Sequence, residues 1–186
     1  VIQDITGNDL ASFTNINADT YISANSATLA TQYRNLTLTG GLNANGTGNA
    51  SSNVIIGNDG SNVIDGLTGN DTSTGGLGAD TFAFSTAANS SANRDVITDF
   101  TSGVDKIQIK RGAYPGLSGS TLASGQFLAG AGLTAATTTQ QRFLYDTTTG
   151  FLSFDRDGSG ATYGAIQMAV LGAGTALART DFVLVA

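Results

Sequence analysis

The chain has 186 residues, enough for one elongated domain or two small ones. Its net charge of −6 argues against nucleic acid as a partner, and the lack of cysteine excludes disulfides and thiol chemistry. The lack of histidine removes the commonest general base, and no apolar run approaches the ~20 residues of a membrane-spanning helix.

Only 12% of the residues are charged, about half the ordinary ~25%, and every acid is aspartate. With no glutamate and two lysines, the usual surface helix formers are scarce, while glycine, threonine, asparagine and β-branched residues abound. The expected fold class is all-β. Residues 1–38 are glycine-poor and hold short strand-like runs at 1–3 (VIQ), 19–23 (DTYIS) and 35–39 (NLTLT). They read either as a cap over the first open sheet edge or as further coils of the element that follows. The chain starts at Val1 and shows no signal-peptide pattern, as expected of a fragment whose parent carries a domain upstream. A polar, turn-rich segment at 41–53 (GLNANGTGNASSN) then leads into the most regular part of the sequence.

Between 48 and 84 the sequence repeats every nine residues without a gap: GNASSNVII, GNDGSNVID, GLTGNDTST and GGLGADTFA. The sixth position holds Asn53, Asn62, Asp71 and Asp80, and the eighth holds Ile55, Ile64, Ser73 and Phe82. Six residues of each block suit a turn and three a short strand. Glycines at positions one, two and four suit positive φ angles and let carbonyls point inward. A carboxylate closes the turn, and the apolar residue two places later enters a core. Successive blocks fall on alternate sides of a flattened coil, so turns two blocks apart stack at about the strand spacing of ~4.8 Å. Turn 48–53 then lies on turn 66–71, and turn 57–62 on turn 75–80. The stacked turns enclose carbonyl and carboxylate oxygens without nitrogen or sulfur, which suits calcium ahead of magnesium and argues against zinc. The candidate metal residues are Gly57, Asp59, Asn62, Gly66, Thr68, Asp71, Gly76, Gly78 and Asp80. Each cage has one acidic sixth-position side chain facing an amide, with Asp59 the candidate for a second charge. Fewer or weaker sites are expected than in an all-aspartate array.

The blocks resemble GGxGxDxUx, the nonapeptide of the repeats-in-toxin (RTX) family of calcium-binding parallel β-rolls, found in bacterial exoproteins exported by type I secretion. Residues 75–82 (GGLGADTF) match the full motif, and 66–71 (GLTGND) depart at the second glycine, where Leu67 stands. The resemblance implies a parallel β-roll of RTX repeats with a C-terminal β-rich cap, and Ca2+ as cofactor. The stretch 18–41 (ADTYISANSATLATQYRNLTLTGG) resembles a longer repeat found upstream of the nonapeptides in such proteins, and 95–109 (DVITDFTSGVDKIQI) resembles the segment that follows the roll in secreted metalloproteases. In those proteins the acids matching Asp95 and Asp99 lie near the last calcium, which adds both to the candidate metal set. Read without the resemblance, they are solvent-facing strand carboxylates.

Beyond the repeats, 85–93 is a small-residue loop, 95–100 a strand with alternating faces, 101–105 a turn and 106–109 another strand. The segment 114–186 has its own apolar content and is expected to form a cap of hairpins. Within it, 122–128 and 177–183 share one template, a short helical turn ending in a buried phenylalanine, Phe127 or Phe182. The runs 142–146 (RFLYD) and 150–155 (GFLSFD) flank a polar turn and predict a hairpin, and 165–171 a further strand. The DRDGSG at 155–160 begins like an EF-hand loop, but without glutamate no distal bidentate ligand exists, so it reads as a turn. The tail 181–186 (DFVLVA) resembles the acidic-then-apolar end of type I secretion substrates and suits a last strand. Its removal is expected to impair export more than calcium binding.

The expected organisation is an N-terminal strand-repeat or cap segment at 1–38, the roll at 39–84 and the C-terminal cap at 85–186. Outside the roll the only candidate catalytic carboxylates are Asp146, Asp155 and Asp157, which turns account for, so no enzyme is expected within these residues. The leading reading is a calcium-binding module that folds on calcium outside the cell and carries the C-terminal type I secretion signal of a larger exoprotein. Its partners would be the type I secretion machinery and an upstream catalytic or adhesive domain, and its place extracellular or on the cell surface. The rival is a structural or adhesive module of a surface-layer protein or adhesin, marked by calcium-dependent oligomers. A carbohydrate-binding role for the Asn/Thr faces and tyrosines ranks third.

Overall fold

The computed structural model describes residues 19–186, so the strand expected at 1–3 lies outside the described residues. Ten short strands come first: Thr20–Ser23 (β1), Ala27–Thr28 (β2), Asn35–Leu38 (β3), Gly46–Thr47 (β4), Val54–Ile56 (β5), Val63–Asp65 (β6), Thr72–Thr74 (β7), Thr81–Phe84 (β8), Asp95–Ile97 (β9) and Lys106–Lys110 (β10). Odd-numbered strands pair with odd in one parallel sheet and even with even in another, so the chain crosses from sheet to sheet at every turn. This is the parallel β-roll. Its period follows from the nine-residue blocks: Ile55 lies beside Ser73 and Ile64 beside Phe82, each pair two blocks apart.

The coil extends upstream of the glycine-rich blocks. Strands β1 to β4 prolong both sheets, with Leu36 beside Ile55 and Gly46 beside Ile64. Of the two readings open for residues 1–38, the further-coil reading describes the pairing of the described part from Thr20 onward. Asparagines replace glycines in holding it, since Asn43 and Asn45 accept the N–H groups of Ser61 and Val63 one coil along, both at 2.9 Å. The eighth positions form the core between the sheets: Leu36, Ile55 and Ile97 from one side, Ile64, Phe82 and Ile107 from the other, all buried. Gly46 is the small member of this set, because a Cβ there would press on Ile55 and Leu36.

The remaining strands are Phe127–Gly130 (β11), Phe143–Asp146 (β12), Phe151–Phe154 (β13), Ile166–Val170 (β14) and Phe182–Val185 (β15). The predicted hairpin is β12–β13, antiparallel. The cap adds to the roll instead of standing apart from it. Strand β14 pairs with β9, giving a nine-stranded sheet in the order β1-β3-β5-β7-β9-β14-β13-β12-β11, and β15 pairs parallel to β10, giving β15-β10-β8-β6-β4-β2. The free parallel edges of β9 and β10 carry unpaired N–H and C=O groups, and pairing them is the cause. An aromatic cluster closes this end of the core. Tyr114 meets Phe154 edge-on at 5.0 Å between ring centroids, and Phe143 meets Phe182 at 5.0 Å.

Two expectations need correction. The strand at 95–100 ends at Ile97. The template at 122–128 forms a turn without a helix, because Gly125 at φ +89° breaks the path that Arg179–Asp181 follows as a 3-10 turn. Both copies keep the same bonds: Gln126 Oε1 accepts the Ala123 N–H at 2.8 Å, and Asp181 Oδ2 accepts the Ala178 N–H at 2.9 Å. Phe182 is buried as expected, whereas Phe127 is only partly so. The last six residues are also integral to the module, since Phe182 and Leu184 lie in the core, so their loss should disturb folding.

Candidate metal centre

The turns that precede the strands of each sheet form two columns. Down one column the sixth-position side chains hold each other through the backbone: Asp71 Oδ1 accepts the Asn53 N–H at 2.7 Å, and Asp95 Oδ1 accepts the Asp71 N–H at 3.0 Å. Down the other, Asp80 Oδ1 accepts the Asn62 N–H at 2.8 Å, and Asp105 Oδ1 accepts the Asp80 N–H at 2.9 Å. Asp105 escaped the sequence reading, which took it as part of a plain turn. Its signal is Gly103-Val104-Asp105-Lys106-Ile107, the second half of the nonapeptide, standing 25 residues from Asp80 and so outside the nine-residue period. Asp65 was missed for a different reason: it is a ninth-position strand residue, and its Oδ1 accepts the Leu67 N–H at 3.1 Å.

Glycine at position one serves space rather than φ. A Cβ on Gly66 would collide with the Asp71 carboxylate, and one on Gly75 with that of Asp80. Positive φ occurs at positions two and four of the third and fourth turns: Leu67 at +71° and Gly69 at +125°, Gly76 at +97° and Gly78 at +106°. The first two turns avoid it. There position two is Asn49 or Asn58, whose side chains reach back to the preceding turn: Asn58 Nδ2 donates to the carbonyls of Thr39 at 3.1 Å and Leu42 at 3.0 Å.

The carboxylates of the later turns are in an unfavourable setting for bare charge. Burial, aided by the nearby charges of Asp95 and Asp65 and opposed by the Asn53 N–H, pushes Asp71 up to about 7. Burial likewise pushes Asp95 up to about 6, with Asp65 adding to it, and raises Asp80, with Asp105 and Asp99 adding. Asp71 is 1% exposed, and its Oδ2 has no hydrogen-bond partner. Among the described residues no three carboxylates converge on one point, so a cation here takes most of its ligands from backbone carbonyls. An oxygen-only donor set with a buried, unpartnered carboxylate oxygen fits calcium.

The other candidates fall around this centre. Asn62 is buried, with Oδ1 accepting the Asn58 N–H at 2.9 Å, while Asp59 and Thr68 at third positions are exposed. Gly57 packs under the Gly75 carbonyl, where a Cβ would collide. Asp99 uses both oxygens on backbone, accepting the N–H groups of Gly75 at 2.9 Å and Gly76 at 2.8 Å, which makes it a cap on the fourth turn.

With this geometry in view, the comparisons with known proteins define the class. The profile of the Peptidase M10 serralysin C-terminal family matches residues 1–184, and the chain belongs to that family. It is an RTX-type parallel β-roll, the calcium-binding C-terminal module of secreted type I exoproteins. The solution structure of the AlgE6R3 subunit from the Azotobacter vinelandii mannuronan C5-epimerase is similar at 21% identity and a TM-score of 0.43, covering 90% of this chain and 80% of that one. No curated protein matches the chain. Among the described residues no helix is long and apolar enough to cross a membrane.

Proposed function

We propose that this chain is a folding switch driven by calcium, its roll incomplete where free calcium is scarce and closed outside the cell. The Asp71 carboxylate carries the reading: it is buried, it is crowded by like charge, and one oxygen has no partner between two stacked turns. Asp71 and Asp80 supply the charged ligands, and carbonyls of the turns at 48–53, 57–62, 66–71 and 75–80 complete the oxygen set. Calcium when bound supplies charge neutralisation and a cross-link between turns. Asp95, Asp99 and Asp105 hold the turns that present these ligands. At tenfold excess over its dissociation constant, each ion stabilises the fold by about 1.4 kcal/mol.

The module is non-catalytic and follows a catalytic or adhesive domain of its parent exoprotein. Its last strand doubles as the type I secretion signal, read before folding buries Phe182 and Leu184. Circular dichroism in EDTA, then with calcium raised to several millimolar, tests the switch: β signal should appear with calcium and not with magnesium. Asp71→Ala and Asp80→Ala should each raise the calcium midpoint severalfold. A chain fully folded in EDTA, or unchanged midpoints in both variants, would refute the reading. The adhesive or lattice reading draws on the outward apolar residues Val54, Ile56, Val96 and Phe151 of the larger sheet, and calcium-dependent oligomers on a sizing column would favour it.

A further inference from the structure

The gaps between stacked turns are of two kinds, and asparagine decides which. In the gap beneath turn 57–62, Asn58 Nδ2 spans the carbonyls of Thr39 and Leu42, while Asn62 Nδ2 donates to the Ala44 carbonyl at 2.6 Å. The gap beneath turn 48–53 repeats the pattern. Asn49 Nδ2 spans the carbonyls of Ala30 at 3.1 Å and Tyr33 at 2.8 Å, and Asn53 Nδ2 donates to the Arg34 carbonyl at 3.2 Å. An amide NH2 offers two donors, each engaged with a carbonyl, so these oxygens are satisfied by a neutral group and closed to a cation.

The next two gaps invert this chemistry. The partners of Asn49 and of Asn58 lie 19 and 16 residues back. Carried one coil along, the same offsets give Gly48 and Ser51 beneath turn 66–71, and Gly57 and Gly60 beneath turn 75–80. There position two is Leu67 or Gly76, which has no side-chain donor to offer, and position six is Asp71 or Asp80, whose side chain accepts instead of donating. Oxygen then faces oxygen. Backbone conformation divides at the same place, since left-handed φ appears only in the third and fourth turns of the array.

We propose that asparagine amides take the place of ions in the first two gaps, while Asp95, Asp99 and Asp105 already spend carboxylate oxygens on N–H groups across the gaps that follow turns 66–71 and 75–80, so that the module binds two calcium ions and not four. It follows that the coils of 35–65 fold without metal and present a ready template on which 66–84 close when calcium arrives. The proposal rests on the calcium reading above and is tested apart from it. Calorimetry on the full chain should give two ions per molecule. Asn58→Gly combined with Asn62→Asp removes both donors and adds a carboxylate, and should raise the count to three. Four ions on the parent chain, or a folded double variant that still takes two, would overturn the amide assignment while leaving calcium binding intact. Calcium drawing no heat from the parent would sink both. Should the variant fail to fold, hydrogen exchange on the parent in EDTA decides: amides of β5 and β6 should exchange at least tenfold more slowly than those of β7 and β8, and equal rates would refute the proposal.

Discussion

Leu67 is the one non-glycine residue with positive φ among the described residues, and it stands where the fourth turn has Gly76. A branched side chain in that region costs about 1–2 kcal/mol, part of which Leu67 recovers through its half-buried side chain. Leu67→Gly is therefore expected to stabilise the calcium-bound module by about 1 kcal/mol and to lower the calcium midpoint, as read from urea unfolding. Gly76→Leu should do the reverse and more strongly, because a Cβ there would collide with the Asn58 carbonyl as well as strain the backbone. If Leu67→Gly destabilised the fold, the side chain's packing would outweigh its φ.

Among the elements, the turn at Arg179–Asp181 with β15 binds the end of the chain to the roll. Asp181 is buried and accepts from Ser102 Oγ at 2.7 Å, the Gly103 N–H at 3.0 Å and the Ala178 N–H at 2.9 Å, with Lys106 Nζ at 3.6 Å. Burial alone would raise its carboxyl, but those hydrogen bonds and Lys106 outweigh burial and hold it below its ordinary 3.8. A lowered folded value means that the ionised group stabilises the fold fully above 3.8 and ceases to do so as pH falls through the lower value. Asp181→Asn should accordingly lose stability at neutral pH, with the gap to the parent narrowing below pH ~4 in thermal melts. A constant gap across that range would show that shape and not charge makes the contact. The elements most legible in the sequence were those whose period is intact, β5 to β8, where nine-residue spacing fixed the register of Ile55, Ile64, Ser73 and Phe82 together. Upstream, the step from Leu36 to Ile55 is one residue longer than two blocks and asparagine replaces glycine, so pattern alone left cap and coil unresolved. The two metal columns were half legible: Asp71 and Asp80 stand in the motif, whereas Asp105 carries only half of it, outside the nine-residue period, and Asp65 comes near Asp71 only through folding. Asn62 was read as a metal candidate, and Asn49 and Asn58 were passed over, because a side chain that reaches back 16 to 19 residues leaves no mark in a local pattern.

Among the described residues, the hydrogen bonds between neighbouring coils of the roll join residues about 16 to 25 apart, whereas those from Arg94, Ser102 and Gly103 to the C-terminal end join residues 73 to 79 apart. A fourfold longer loop adds about 1.2 kcal/mol of closure entropy, and folding slows as contacts become less local. The roll should thus wind quickly and seal slowly. In stopped-flow experiments started by calcium, far-ultraviolet dichroism should rise before the fluorescence of Tyr114 and Tyr145, both buried at the sealing end. One shared phase would show that winding and sealing are a single event. With two phases, the module has a wound but unsealed lifetime, during which β15 is still outside its sheet and the edge of β10 is open to whatever strand reaches it first.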